Sequence, residues 1–478
     1  MKKIYDVLII GGGVIGTSIA RELSRYNIKI ALLEKEEELS FGVSKSNSGI
    51  IHPGTQNPPD SLKGRLCVQG NTLMRKIAGE LGVDFKEVGE LIVAFSEEDI
   101  PKLLRLKKDA ETLGVKRLSI VDKAWLRKNE PNLSENALLA LFAPTAGIIS
   151  PYRLTYDLSE NAKHNGVEIF TKEYVKEIKR PGNEFDILTL TSAFHARYII
   201  NSAGLYADSI SRMVGVGDFT ITPRKGEEFL LDKKREHIAN HLLFPLPSEK
   251  SKGILVIKTA DGNPMIGPTA EDVEDKSDLS TSDNGFLKVL EGARRMIPSI
   301  SENDIIAYFA GLRPAAGKDF IIRLEKNAPN FINIAGIQSP GLTAAPAIAL
   351  LAIDLLKLSG LTLKKKLFFH QHRKKTIHLF EIPLKKTKAL IKKDPSYGDI
   401  VCRCEMVSKK EVTDSIKRGA ATLDGIKFRT RAQAGRCHGS FCTTRLIKIL
   451  SQETGKDAMD ITKRGKGSEV ILDKRPDV

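Results

Sequence analysis

The chain has few cysteines, 5 in 478 residues. That number excludes the disulfide framework of a small secreted scaffold. Long apolar runs are also lacking. The best candidate, residues 344–358, is shorter than the roughly 20 residues that a membrane-spanning helix needs, and it contains Asp354. We therefore expect a folded protein in a reducing, cytoplasmic location, with a length typical of about two to four domains.

Most of the chain has no excess of positive or negative charge. The formal net charge is +15, and all of it comes from residues 361–478, which contain 28 Lys and Arg against 13 Asp and Glu. Three interpretations remain open for this basic region: a solvated linker and tail, a docking face for an acidic partner, or peripheral contact with the inner face of the cell membrane. No basic stretch has a nucleic-acid-binding motif, so we expect no nucleic acid partner.

The first 35 residues have the pattern of a dinucleotide-binding unit. Residues 4–33 predict a buried strand, the glycine-rich turn GGGVIG, a helix and a second strand. Gly11 permits the tight turn, Gly13 lets the backbone approach a pyrophosphate, and Gly16 lets helix and strand pack closely. Glu34 follows the second strand, where a carboxylate accepts hydrogen bonds from a ribose hydroxyl. An acid at this position disfavours NADP, whose ribose carries a 2′-phosphate.

Three later segments favour FAD over NAD. Residues 44–54, SKSNSGIIHPG, resemble the segment that passes the flavin in FAD-dependent oxidases of the D-amino-acid-oxidase superfamily. Residues 198–208 predict a strand that runs into a glycine-bearing turn, and residues 331–349 predict a strand, a glycine loop and an apolar helix. The N-terminus of that helix favours an anion, which suits the charge of a reduced flavin.

Together these motifs resemble the catalytic subunits of anaerobic-type glycerol-3-phosphate dehydrogenases within this superfamily. SLKGRLCVQGN, KTADGNPMIGPTAE and GLRPAA belong to the same resemblance. It implies an α/β protein in which a Rossmann-like FAD-binding domain is interleaved with an α+β substrate domain over residues 1–360. The implied boundaries are about 1–80, 145–220 and 325–360 for FAD binding, 81–144 and 221–324 for substrate binding, 361–397 for a basic linker, and 398–470 for a small C-terminal iron–sulfur domain resembling BFD-like [2Fe-2S] domains.

The resemblance also implies which residues bind FAD. Besides Gly11, Gly13, Gly16 and Glu34, it assigns this role to Ser46, Asn47, Ser48, Val175, Ala203, Gly204, Gly336, Gly341, Leu342 and Thr343.

A flavin dehydrogenase must orient the substrate C–H bond, remove the hydroxyl proton and hold an anionic substrate. Arg313 is the predicted cation, because a planar guanidinium binds carboxylate or phosphate through two hydrogen bonds. Lys258 and Arg224 are secondary candidates. His52 is the predicted base, or a hydrogen-bond donor to the flavin. A purely structural role is the alternative for both Arg313 and His52.

The expected reaction is oxidation of glycerol 3-phosphate to dihydroxyacetone phosphate with reduction of FAD. Two alternatives remain open at this stage. One keeps the flavin chemistry with L-2-hydroxyglutarate, an amino acid or an opine as substrate, since L-2-hydroxyglutarate dehydrogenases share several of the motifs. The other is a non-catalytic electron-transfer subunit.

Four of the five cysteines form two pairs near the C-terminal end, Cys402 with Cys404 and Cys437 with Cys442. Four thiolates bind either an iron–sulfur cluster or zinc, and the spacing matches neither the common ferredoxin patterns nor the usual zinc knuckle. The resemblance and the two-electron flavin chemistry favour a [2Fe-2S] cluster, which accepts electrons singly. We expect the electrons to continue to a partner flavoprotein, an electron-transfer subunit or a quinone, with docking near the basic C-terminal region.

Overall fold

The computed structural model describes residues 3–247 and 252–472, which form two large β-sheets, two small ones and the helices around them. The strands are β1 (Ile4–Ile10), β2 (Ile30–Leu33), β3 (Ile50–Ile51), β4 (Phe85–Glu87), β5 (Glu90–Ala94), β6 (Ser119–Asp122), β7 (Leu139–Ala143), β8 (Gly147–Ile149), β9 (Glu168–Phe170), β10 (Val175–Lys179), β11 (Phe185–Thr189), β12 (Ala193–Asn201), β13 (Thr222–Leu231), β14 (Leu242–Pro245), β15 (Leu255–Lys258), β16 (Pro264–Gly267), β17 (Glu271–Asp272), β18 (Ile305–Ala315), β19 (Ile321–Leu324), β20 (Phe331–Ala335), β21 (Ile400–Cys402) and β22 (Val407–Ser408). The helices are α1 (Val14–Leu23), α2 (Leu62–Leu81), α3 (Asp99–Thr112), α4 (Lys123–Asn129), α5 (Pro151–His164), α6 (Ala207–Met213), α7 (Asp283–Met296), α8 (Gly341–Leu358), α9 (Leu384–Lys393), α10 (Lys409–Lys417), α11 (Leu423–Thr430) and α12 (Thr443–Thr454).

The first sheet has eight strands and holds the glycine-rich turn. Its order is β10-β11-β12-β1-β2-β9, with β20 also paired to β12 and β19 paired to β20. β1 is parallel to both β2 and β12, and every residue of β2 is buried. A buried parallel strand is continuously apolar, as the sequence IALL is. The predicted Rossmann-like α/β architecture is therefore confirmed.

Helix α8 covers the first sheet. It is apolar and long enough to cross a membrane, but 61% of it is buried inside the protein. Its inner face belongs to the same apolar core as α1 and the strands β1 and β20. Packing within a globular core explains the apolar composition of this helix.

The second sheet has nine strands in the order β17-β13-β16-β15-β14-β5-β7-β6, with β18 paired to β13. β13 and β18 are antiparallel along almost their full lengths, and Arg224 lies opposite Arg313 in that register. Helix α7 packs on this sheet through Val289, Leu290 and Ala293, which belong to a separate apolar core. The two large sheets therefore form two bodies with separate cores.

The C-terminal residues fold around a core of their own. Strands β21 and β22 form a hairpin, and helices α10, α11 and α12 follow it. Ser408 and Glu411 form the reciprocal capping box that their spacing predicts at the start of α10. The buried core of this unit includes Val412, Leu423 and Leu446.

The segment between the first sheet and the C-terminal unit is attached to the rest of the protein. Arg373 pairs with Asp157 at 3.0 Å and with Glu160 at 2.7 Å, both on helix α5. Thr376 accepts a hydrogen bond of 2.6 Å from Arg418 of the C-terminal unit. These contacts fix residues 373–376 between helix α5 and the C-terminal domain.

Candidate active site and cysteine centre

A cavity of about 1410 Å³ lies where the two large sheets and the C-terminal domain meet. Gly11 and Gly13 line it from the first sheet, Arg313 from the second, and Phe428 and Arg431 from the C-terminal domain. Residues from both large sheets and from the C-terminal domain therefore enclose one space. Its size suits a large cofactor together with a small substrate.

The glycine-rich turn has the geometry that its spacing predicts. Gly11 has a φ of +110°, and a Cβ at this position would lie 2.4 Å from the carbonyl oxygen of Ser202. A Cβ on Gly16 would lie 2.0 Å from the carbonyl oxygen of Gly11. Side chains at either position would collide with backbone, so both glycines are needed for the turn and for packing of α1 against it. Gly16 lies behind the turn and does not line the cavity.

Glu34 directly follows β2 and lines the cavity. Its carboxylate accepts backbone hydrogen bonds from Gly12 at 2.7 Å and from Glu36 at 3.0 Å. Burial raises the pKa of Glu34, and these backbone hydrogen bonds oppose the rise. The carboxylate is thus held at the position where a ribose hydroxyl is bound in this type of unit.

Most of the other residues assigned to FAD by resemblance also line the cavity: Ser46, Asn47, Ser48, Val175, Ala203, Gly204, Gly341 and Leu342. Gly336 and Thr343 do not line it. Gly336 has a φ of +67° in the turn after β20, and the Thr343 hydroxyl accepts a 2.9 Å hydrogen bond from the backbone N–H of His52. These two residues support the loop and the helix rather than forming the surface.

These features fit FAD. The turn at Gly11 and Gly13 exposes backbone without side chains, the N-termini of α1 and α8 meet the cavity, and Glu34 lies at its edge. Helix N-termini provide N–H groups and partial positive charge for a pyrophosphate. Gly11, Gly13, Glu34, Gly341 and Leu342 would hold the cofactor.

His52 lines the same cavity beside strand β3. Its side chain is buried, and its Nδ1 lies 3.9 Å from Oε2 of Glu90. Burial lowers the pKa of His52 to about 4, the positive charge of Lys252 adds to this effect, and Glu90 opposes it. The imidazole is therefore neutral at physiological pH and has a lone pair that can accept a proton.

Arg313 lies on β18 with its guanidinium in the cavity wall. It donates a hydrogen bond to the Thr269 carbonyl oxygen, and a Cβ on Gly226 would lie 2.1 Å from its Nη2. The glycine on the neighbouring strand thus leaves the space that the guanidinium occupies. Burial raises the pKa of the adjacent Glu228 to about 7, while the charge of Arg313 opposes that rise. A cation held beside a weakly ionised acid retains its attraction for an anionic ligand.

The candidate Lys258 does not line the cavity. Leu255 of the same strand lines the cavity, and Lys258, three residues further on, is not among the lining residues. Side chains alternate between the two faces of a strand, so these two point to opposite sides. The lysines that do line the cavity on this side are Lys63 and Lys252, and burial lowers the pKa of each.

Arg224 also lines the cavity and forms an ion pair of 2.7 Å with Asp272. Lys63, Lys252 and Arg313 also line the cavity, close enough for the positive charges of neighbouring members to repel one another. We call these four side chains the basic group. The motif SLKGRLCVQGN contains Lys63, which gave a sequence signal for that residue. Lys252 had no such signal, because it lies in a segment without a recognisable motif.

The four C-terminal cysteines form two pairs, and each pair combines one residue from each sequence motif. Cys404 and Cys437 have an Sγ–Sγ distance of 3.3 Å, and Cys442 donates a hydrogen bond to Cys402. Over residues 3–247 and 252–472, no three His, Cys, Asp or Glu side chains are grouped as ligands of a single metal ion. Two thiol pairs suit a cluster of two irons better than one tetrahedral zinc.

Thiol ionisation within each pair is uneven. The hydrogen bond from Cys442 lowers the pKa of Cys402 to about 6, although burial opposes this, and the same bond raises the pKa of Cys442. Burial opposes ionisation of Cys437, but the hydrogen bond from Cys404 and two backbone N–H groups outweigh it and lower the pKa. Cys402 and Cys437, the members of each pair whose pKa is lowered, therefore ionise more readily than an ordinary thiol, and metal capture requires thiolates.

The cysteine centre is attached to the cavity wall through its own loop. His438, next to Cys437, binds the backbone carbonyl oxygen of Ile306 on β18, and both residues line the cavity. Phe428 of α11 packs between Tyr152 and Phe41, with ring centroids 5.2 and 6.0 Å away. The C-terminal domain is thus a structural part of the cavity.

Comparisons with known proteins agree with this geometry. The family model described as FAD dependent oxidoreductase matches residues 6–355, and the model of BFD-like [2Fe-2S] binding domains matches residues 400–452. The chain is 42% identical to a glycerol 3-phosphate dehydrogenase of Caloramator mitchellensis over 470 residues, which are 98% of each chain. It is 35% identical to a glycerol 3-phosphate oxidase of Mycoplasma genitalium over 76% of this chain and 96% of the relative.

A solved structure shows the same relationship. The L-alpha-glycerophosphate oxidase of Mycoplasma pneumoniae, determined with FAD bound, is 32% identical and superposes with a TM-score of 0.74. The match covers 78% of this chain and 98% of that one.

Proposed function

Because the chain belongs to the FAD dependent oxidoreductase family and has a BFD-like [2Fe-2S] domain, we propose that it oxidises sn-glycerol 3-phosphate to dihydroxyacetone phosphate. Its cofactors are FAD and a [2Fe-2S] cluster. When bound, FAD supplies the acceptor for the two electrons that leave the substrate carbon. The cluster, when bound, accepts electrons singly.

The basic group in the cavity is the observation that carries this proposal. Lys63, Arg224, Lys252 and Arg313 all line the cavity. A phosphate monoester has close to two negative charges at neutral pH and three acceptor oxygens. More than one cation is therefore needed to balance it, whereas one arginine suffices for the single carboxylate of an amino acid such as proline. L-2-hydroxyglutarate has two carboxylates, so the assay below compares it directly with glycerol 3-phosphate. The match to the glycerol 3-phosphate dehydrogenase covers 98% of this chain, which supports the same substrate.

Arg313 and His52 have complementary roles in the proposed reaction. Arg313 binds the phosphate and fixes the substrate, so that its C–H bond is oriented for transfer. His52 is neutral at physiological pH and accepts the proton of the secondary hydroxyl as that C–H bond breaks. The carboxylate of Glu90, 3.9 Å away, stabilises the positive charge that then develops on the imidazole.

Electrons leave through the C-terminal domain in this proposal. His438 connects the loop of Cys437 to the cavity wall, and Arg431 fixes the domain to the second sheet. Phe441, between Cys437 and Cys442, is 80% exposed, and Arg403 and Arg436 next to cysteines lie near the same surface. An acidic electron-transfer partner would dock here, with its own apolar contact on Phe441.

Rapid mixing under anaerobic conditions tests the substrate. The purified protein is mixed with glycerol 3-phosphate, L-2-hydroxyglutarate or proline, and loss of the yellow absorption of oxidised flavin is followed. We expect reduction by glycerol 3-phosphate to be at least about 100-fold more efficient than by the others, since a site built to hydrogen-bond one substrate group rejects analogues that lack that group. Flavin that stays oxidised with saturating glycerol 3-phosphate would refute the proposal.

A further inference from the structure

Two bulky apolar side chains stand side by side in solvent on the segment that follows α8. Leu367 is 96% exposed and Phe368 is 86% exposed. They are the most exposed Leu and the most exposed Phe over residues 3–247 and 252–472. Scattered apolar side chains on a surface need no explanation, but two adjacent ones with almost no protein contact do.

The backbone on both sides of this pair is anchored. Lys366 donates a backbone hydrogen bond of 2.8 Å to the carbonyl oxygen of Arg25. His370 donates a backbone hydrogen bond of 2.9 Å to Oδ1 of the buried Asn165. The Phe369 ring lies under the Arg25 guanidinium at 4.3 Å. Leu367 and Phe368 are therefore presented by an ordered turn, which we call the apolar tip.

The surroundings of the apolar tip are basic. Lys364 and Lys365 precede it and are exposed, and residues 361–393 are rich in Lys and Arg but contain a single acid, Glu381. On the neighbouring helix α5, Lys163 is exposed as well. The acids of α1 and α5 are paired with arginines: Glu22 with Arg25, and Asp157 and Glu160 with Arg373. Asp354 of α8 pairs with Lys357. The surface therefore presents positive charge around an apolar centre.

We propose that the apolar tip binds an anionic lipid bilayer. Leu367 and Phe368 insert between the lipid headgroups, while Lys364, Lys365 and Lys163 contact lipid phosphates. The aliphatic part of a lysine side chain can lie along an apolar surface while its ammonium group stays in a polar layer. This arrangement suits the lipid headgroup region. An apolar insertion of this size gives only weak binding by itself, so the lysines are needed for stable attachment. This inference does not depend on the substrate proposed above.

Charge complementarity favours an anionic bilayer as the partner of the apolar tip. Two adjacent apolar side chains beside exposed lysines match an anionic membrane surface, where acyl chains lie just beneath phosphates. Unlike Phe441, which lies beside the cysteine centre, the apolar tip is in another part of the sequence and has no redox group next to it. A second copy of the chain is the main competing occupant, and it is separated from the bilayer by the experiment below.

Vesicle co-sedimentation of the full-length holoprotein tests the inference. Vesicles of phosphatidylcholine alone are compared with vesicles containing about one third phosphatidylglycerol. The wild-type protein should bind the anionic vesicles and not the neutral ones. The variant Leu367→Ser/Phe368→Ser should bind at least about tenfold more weakly, and Lys364→Gln/Lys365→Gln should lose affinity and salt dependence together.

Leu190→Ser is the matched control, because Leu190 is 58% exposed after strand β11. This variant should bind vesicles as the wild type does. All variants should keep the flavin absorption and the melting temperature of the wild type, since the altered side chains are exposed and do not line the cavity. Equal vesicle binding by wild type and by Leu367→Ser/Phe368→Ser would overturn the inference. Absence of wild-type binding to anionic vesicles would overturn it as well. If sedimentation velocity then shows a dimer that Leu367→Ser/Phe368→Ser abolishes, a second copy of the chain is the partner of the apolar tip instead.

Discussion

Arg431 of the C-terminal domain forms an ion pair with Asp261 of the substrate sheet, with an Nη1–Oδ2 distance of 3.1 Å. Both side chains are at least nine-tenths buried, and Arg431 also donates to Asn263 at 2.9 Å and to Glu405 at 2.9 Å. Burial opposes ionisation of Asp261, but the charges of Arg431 and Arg153 outweigh it and hold the pKa of Asp261 below its usual range. One side chain thus joins the cysteine-bearing domain to the cavity.

Replacing Arg431 by glutamine should loosen this attachment. Removing one member of a buried ion pair costs about 3–5 kcal/mol. We expect faster hydrogen–deuterium exchange in residues 423–438 and slower reduction of an artificial acceptor, with reduction of flavin by substrate unchanged. Lys410→Gln is the control, because Lys410 forms a more exposed pair with Asp414 inside the same domain. Equal exchange in the two variants would contradict the role given to Arg431.

Replacing Arg313 by methionine should weaken substrate binding while FAD stays bound. The guanidinium provides a charge-assisted pair of hydrogen bonds, and its loss is expected to raise KM by about 100-fold. Arg313→Lys keeps the charge without the planar fork and should recover part of the affinity. Steady-state kinetics with glycerol 3-phosphate measure both effects. An unchanged KM in Arg313→Met would show that the arginine is structural.

Replacing His52 by glutamine should slow flavin reduction by about 10²–10⁴-fold, the usual range for loss of a general base. FAD content and substrate affinity should change little. Rapid-mixing kinetics at saturating substrate measure the rate. The pKa of His52 is lowered to about 4, so this imidazole stays neutral between about pH 5.5 and 7.5. Titration of His52 should therefore cause no change in the wild-type rate across that range. A rate that titrates near pH 6.5 and loses this step in His52→Gln would contradict the lowered pKa.

His52 should also make stability depend on pH. Its pKa is about 4 in the folded protein, against an ordinary value of 6.5 for an exposed histidine in the unfolded chain. Between these values the unfolded chain binds more protons, so stability rises with pH across this window and is lost as pH falls. The full change is about 3 kcal/mol. Urea unfolding at pH 5 and pH 7 should show a smaller difference for His52→Gln than for the wild type.

Replacing Cys404 by serine should abolish the cluster. Each iron needs two thiolates, and Cys404 forms one of the two close pairs with Cys437. Iron and sulfide analysis should fall to near zero, and the EPR signal of the dithionite-reduced protein should disappear. Cys67→Ala is the matched control. Cys67 is fully buried in another domain, and burial raises its pKa to about 12, so it is not a thiolate ligand at neutral pH. Stoichiometric zinc in the wild type, without an EPR signal, would contradict the assignment.

Local sequence rules were sufficient for the nucleotide-binding half of the cavity. Gly11, Gly16 and Glu34 could be assigned because sterics and hydrogen bonding demand those residue types at that spacing. The capping box of Ser408 and Glu411 was predictable for the same reason. Each of these features lies within about 30 residues. The residues that contact one another are therefore all part of the same local sequence pattern, which is why the pattern predicts the structure.

The attachment of the C-terminal domain could not be predicted in this way. Arg431 and Asp261 are 170 residues apart, and Arg429 and its partner Glu38 are 391 residues apart. No periodicity links such pairs, and buried ion pairs arise only once the tertiary structure is known. The position of Lys258 outside the cavity lining could not be predicted for a similar reason. It depends on which face of β15 meets the cavity, and that face is set by strand pairing across the sheet.

EPR after anaerobic addition of glycerol 3-phosphate shows whether electrons pass from the flavin to the cluster. The full-length protein is mixed with substrate in the absence of any other reductant, then frozen. We predict loss of the yellow flavin absorption together with the EPR signal of a reduced [2Fe-2S] cluster, because electrons enter at the flavin and pass to the cysteine centre of the same chain. An oxidised flavin, or a reduced flavin without any cluster signal, would contradict it.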